Sequence, residues 1–127
     1  MLSLPADRFE VLVERALDLL PVEFQTHLEN VSVTIEHRPD AELLRSLGMD
    51  PADPEDTLFG LYEGVPLTER GFDEVLLPDT ITIFRASILE VAETEDEVVE
   101  EVRITVLHEI GHFFGIDEPR LDELGYA

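Results

Sequence analysis

The chain has no cysteine, no tryptophan and no lysine among its 127 residues. Without cysteine there is no disulfide framework and no thiolate metal site. Any metal must therefore sit on histidine and carboxylate. Its eight basic residues are all arginine, set against 30 Asp and Glu, for a formal net charge of -22. Phosphate binding needs clustered basic side chains, so nucleic acid is excluded as a partner. An anionic membrane surface is excluded on the same ground. No apolar run approaches the ~20 residues of a transmembrane helix. The opening MLSLPADRFE lacks the basic and apolar regions of a secretory signal, so a cytoplasmic location is expected. What remains suits a soluble chain that engages cations, peptides or basic partners. Hydrophobic residues make up 44% of it, enough for a core, and the length suits one domain over 1–127.

The apolar pattern outlines the elements. Phe9, Leu12, Val13, Ala16, Leu17 and Leu20 recur at helical spacing, between Pro5 at the start and Pro21 at the stop. Residues 22–29 read as a short second helix. Residues 31–36 alternate, with Val31, Val33 and Ile35 on one face, which predicts a strand with one buried side. Pro39 and Asp40 open a short helix that Gly48 ends, and DPADPED at 50–56 is a loop. Strands are predicted over 57–63 and near 80–85, with an irregular excursion over 67–79 between them. A long helix begins near Thr94, where Thr94 and Glu97 form a capping box. Apolar residues all round this helix, from Val98 to Phe114, predict burial. Its acidic first turn, Glu95 to Glu97, favours the positive end of the helix dipole and reads as a solvated end.

Inside that helix lies His108-Glu109-Ile110-Gly111-His112, an H-E-x-x-H pattern. Residues four apart share a helix face one turn apart, so both imidazoles can reach one Zn²⁺. Glu109 stands about 100° round the helix from His108, where it meets a metal-bound water as general base. This composition produces the pattern by chance about 0.02 times, and about 0.0002 times with Gly115 and an acid at 118 added. The competing reading is two histidines and a glutamate as core polar groups, which is costly unless each is paired. A third ligand is still required. Gly115 lets the chain turn out of the helix, and Glu118 follows three residues later. Asp117 and Asp122 compete with it. Asp117 suits the N-cap of a short final helix at 118–124, with Pro119 in its first turn, so Glu118 is favoured. With fifteen residues after His112, and Met1 and Met49 as the only methionines, neither a distant downstream ligand nor a methionine beneath the metal is expected.

The segments FGLYEGVPLTER (59–70), LPDTITIFR (77–85) and VRITVLHEIGHFFGIDEPRLDELGY (102–126) resemble the minimal zincin family of small bacterial metallopeptidases. That resemblance implies an α+β fold: a short mixed β-sheet, an N-terminal helix, and a buried H-E-x-x-H helix against the sheet. It implies Zn²⁺ as cofactor, His108 and His112 as ligands, Glu109 as catalytic base, and Glu118 at a third position that is often Asp. The function to expect is zinc-dependent hydrolysis of peptide or protein substrates. The alternative is a non-catalytic metal-binding or interaction module, since so small a chain lacks the second subdomain that usually walls a cleft. Tyr62 and Tyr126 are weighed as oxyanion stabilisers against half-buried tyrosines with hydroxyls in water. His27 and His37 are expected at the surface. A peptide strand would add along 80–85 if that strand is the sheet edge beside the helix.

Overall fold

A computed structural model describes residues 2–29, 31–53, 57–64 and 79–113. Helix α1 (Ala6–Asp18) buries Phe9, Leu12, Val13 and Ala16, the stripe that the spacing predicts. Helix α2 (Val22–Leu28) starts behind Pro21, which cannot donate to a preceding turn. Strand β1 (Val31–Glu36) leads to α3 (Ala41–Ser46). The Asp40 carboxylate accepts the Leu43 N–H at 2.7 Å and caps α3. Gly48 closes it at φ 79°, with Gly48 N–H bonding Arg45 C=O and Met49 N–H bonding Leu44 C=O. That pair of bonds is a Schellman motif, and glycine takes its left-handed residue without a Cβ clash.

Strands β2 (Gly60–Glu63) and β3 (Asp79–Phe84) follow, then α4 (Arg85–Val91) and α5 (Glu95–Phe113). The sheet order is β1-β3-β2, with β1 parallel and β2 antiparallel to β3. This is the mixed sheet of an α+β fold, as expected. The 80–85 strand is not the edge, however. It is central, and β2 is the strand beside α5. Burial explains why: Ile81 and Ile83 are fully buried on the face that packs in the core, and Thr82 and Phe84 are buried on the other. Thr82 tolerates this because its hydroxyl lies 3.4 Å from that of Thr34 across the parallel pair. β2 is shorter than the strand expected over 57–63, although the Phe84 N–H still bonds Phe59 C=O at 2.9 Å. The sequence pattern does not predict helix α4. The run RASILEV is too short to show a period, and its Ala86, Ser87, Ile88 and Leu89 are all buried. The excursion expected over 67–79 lies outside the described residues except for Asp79.

Helix α5 carries Val98, Val102, Val106, Leu107 and Ile110, each wholly buried against α1, α4 and the sheet. Full burial of each such side chain stabilises by about 1.5–3 kcal/mol. The cap at its start differs by one residue from the box expected. Thr94 Oγ1 accepts the Glu97 N–H at 3.1 Å, but the Glu97 carboxylate takes the N–H of Glu93. No helix among the described residues is long and apolar enough to cross a membrane.

Two close approaches pin α5 to its neighbours. At its N-terminus the Glu95 carboxylate accepts from Nε and Nη2 of Arg8 in α1, at 3.0 and 2.5 Å. That hydrogen bond holds the Glu95 carboxyl below its usual range. A lowered carboxyl stabilises the fold above its unfolded pKa, and the effect is lost as pH falls through the folded value. Wild type should therefore melt above Glu95→Gln at neutral pH, by a small margin that added salt reduces. The difference should begin to shrink as pH falls to about 4 and vanish only below the lowered folded value.

At mid-helix, Thr105 packs against Gly60 of β2. A Cβ at Gly60 would lie 2.7 Å from Thr105 Cγ2 and 3.0 Å from the Thr82 carbonyl oxygen. Neither can yield freely, because threonine is stiff at χ1 and the other atom is backbone. Gly60→Ala should cost about 1–3 kcal/mol in urea denaturation. Thr105→Ser, which removes Cγ2, should restore part of that loss in the double variant.

Candidate active site

The motif begins on an unbroken stretch of α5, so positions 108 and 112 stand one turn apart on one face. His108 and Glu109 are half-buried, and Gly111 is buried. The side chain of His112 lies outside the described residues, as do residues 114–127. Glu118, its competitors Asp117 and Asp122, and Tyr126 are thus beyond the described part of the site. Among the described residues no three His, Asp or Glu side chains come together as a metal-binding group.

What the structure does bring together is Glu109 and the neighbouring strand. The Tyr62 backbone N–H donates to Glu109 Oε1 at 2.9 Å. This bond follows from how β2 is paired. Phe59 C=O bonds to β3, so the odd-numbered residues of β2 turn their backbone groups towards β3 and the even-numbered ones away. The Tyr62 N–H therefore points off the sheet, to the side where α5 runs. Four residues of helix rise about 6 Å and two residues of strand about 6.7 Å. The Gly60–Thr105 and Tyr62–Glu109 contacts are consequently in step, and β2 and α5 run in the same direction.

Tyr62 is half-buried, but its hydroxyl is not simply in water: it donates to Asp79 Oδ2 at 2.7 Å. The oxyanion role weighed for it is thereby set against a hydroxyl already engaged. Asp79 sits at the start of β3, and the carboxylate occupies space that only a glycine leaves. A Cβ at Gly64 would stand 2.8 Å from Asp79 Cγ and Oδ1. The sequence reading missed Asp79 and Gly60. The available signal was GLYEG itself: glycines in and beside a strand mark a close approach of backbone to another element. His37 is exposed as expected, and receives the Arg85 guanidinium at 3.1 Å on Nδ1. An arginine only donates, so that nitrogen accepts. The side chain of His27 lies outside the described residues.

A helix carrying H-E-x-x-H, packed alongside a strand of a small mixed sheet, defines the metallopeptidase class known as zincins. The chain matches the zincin-like metallopeptidase family over residues 28–126 and belongs to that family. It is similar in structure to a conserved hypothetical protein from Thermus thermophilus, at TM-score 0.56 and 29% identity over 87% of this chain and 94% of that one. No curated protein matches it significantly.

The family implies a zinc ion, and the chain's donors suit one. Two imidazoles at i and i+4 of an unbroken helix are a recurrent zinc pair, and a carboxylate is an ordinary third ligand. The helix face at 108 and 112 is therefore compatible with the group, and the candidates for a third ligand, Glu118, Asp117 and Asp122, lie beyond the described residues.

Hydrogen bonds of the Tyr62–Asp79 kind, to a carboxylate, contribute about 1.5–3 kcal/mol net. Tyr62→Phe should lower stability by about that amount in urea denaturation, with the denaturant slope unchanged.

Proposed function

We propose that this chain is a zinc-dependent peptide hydrolase in which His108, His112 and Glu118 hold the metal and Glu109 is the general base. The observation that carries the reading is the placement of Glu109: it stands within the motif helix, yet its carboxylate is aimed at the backbone of the adjacent strand. A zinc ion in such a site lowers the pKa of water and polarises a carbonyl. The residues supply the rest. Glu109, held through Oε1, takes a proton from the attacking water and returns it to the leaving amine. The strand addition expected along 80–85 does not carry over, because that strand is central in the sheet and the outward Tyr62 N–H of β2 is already taken by Glu109.

The metal assignment is tested by metal analysis of protein purified without chelators. His108→Ala should abolish one-to-one zinc binding, because two protein ligands rarely hold the ion. Glu118→Ala should weaken zinc binding strongly, whereas Asp117→Ala should retain it. Loss of metal in Asp117→Ala instead would move the third ligand by one residue.

The base assignment is tested with internally quenched peptide libraries at confirmed zinc occupancy. Glu109→Gln should keep its zinc and lose about 10²-fold or more in kcat. Turnover near that of wild type would overturn the hydrolase mechanism and leave a metal-binding module whose Glu109 serves only the β2–α5 contact.

A further inference from the structure

We infer that Tyr62 and Asp79 are positioning residues for Glu109, acting in series from β3 through β2 to the motif helix. The inference rests on the reading of Glu109 as general base and extends it to two residues outside the motif. The chain of contacts is continuous. The Asp79 carboxylate accepts the Tyr62 hydroxyl at 2.7 Å, and the Tyr62 N–H donates to Glu109 Oε1 at 2.9 Å. The register makes this geometry natural. Tyr62 lies opposite Ile81, so Asp79 is its diagonal neighbour on the same face of the sheet.

The physical need for an anchor comes from β2 itself. It has four residues and is paired with β3 on one side. A short strand of that kind opens locally at low cost, and the aim of its Tyr62 N–H is only as constant as the strand. On the face towards α5 the strand presents Gly60, Tyr62 and then Gly64 just beyond its end. Two of those three have no side chain to pack. Tyr62 is therefore the one side chain that holds this face, and Asp79 holds its far end. Gly64 belongs to the same device, since a Cβ there would displace the Asp79 carboxylate. A glutamate has three rotatable bonds, and one fixed oxygen removes most of that freedom. Small misplacements of a reacting group are costly, on the order of 10²-fold per ångström.

The test uses the full chain, metal-free and zinc-loaded, and reads amide hydrogen exchange at residues 61, 62 and 63 by NMR. The residue-62 amide faces away from β3, yet should be protected in wild type. In Glu109→Ala, Tyr62→Phe and Asp79→Ala it should exchange about tenfold faster. The amides of 61 and 63, which face β3, should change much less. Asp79→Asn, which keeps an acceptor, should restore protection. Acceleration of all three amides together would mean general loosening of the strand and would overturn the inference, as would an unchanged residue-62 amide in Tyr62→Phe and Asp79→Ala.

A kinetic arm reads the same coupling. Tyr62→Phe should lower kcat about tenfold with KM unchanged, and should cause no further loss in a Glu109→Gln background. An equal loss in both backgrounds would overturn it. If the library contains no cleaved peptide, the hydrolase reading fails, and the exchange pattern still decides whether Asp79 and Tyr62 hold Glu109.

Discussion

Everything that positions the motif depends on how closely α5 can approach β2. Gly60 permits the approach, because its missing Cβ leaves room for the Thr105 methyl. Once the helix is that close, Glu109 lies one turn further on and reaches the backbone of residue 62. A bulkier strand would push the helix outward, and the Glu109 carboxylate would lose its hydrogen bond from the Tyr62 N–H. The contact is thus steric in origin and polar in consequence. It converts a packing decision at one glycine into the orientation of the Glu109 carboxylate one helical turn away.

The same contact resolves a conflict in α5. A helix with apolar residues around most of its circumference must be buried, yet it carries a histidine and a glutamate in its buried half. Burial of a charged carboxylate is costly unless it is hydrogen-bonded. Glu109 meets that requirement with a backbone N–H which the sheet cannot use, since it points away from β3. The helix and the strand complement each other here: an acceptor meets an outward-facing donor, and a donor meets a half-buried acceptor.

Net charge works at a different level. With -22 on 127 residues, self-repulsion is a standing cost to the compact state. Three of the described acidic groups answer it locally. Glu95 is matched to Arg8, Glu90 to Arg38 at 2.7 Å, and Glu100 to Arg103 at 2.6 Å. These pairs lie at the surface and are individually weak. Arg8–Glu95 differs in what it joins, because it ties the first helix to the start of the motif helix and so couples two elements far apart in the chain.

The H-E-x-x-H motif, the amphipathic first helix, the alternating β1 and the glycine stop of α3 were all legible in the sequence. Each is a local pattern, set by residue spacing or by one residue's backbone preference. The start of α5 was legible for the same reason. Non-local facts were not. That β3 is central and β2 the strand beside α5 depends on which faces are buried on both sides, and TITIF reads alike in either place. Helix α4 is too short to declare a period. Asp79 has no motif at all, and it joins Tyr62 and Glu109 only because antiparallel pairing brings residue 79 diagonally across from residue 62. The sequence by itself determined that positions 108 and 112 share one helix face, because that spacing is a property of four consecutive peptide units. Only the tertiary structure decided what holds the Glu109 carboxylate in place, because that depends on a glycine, a strand register and a sheet order that no local pattern encodes.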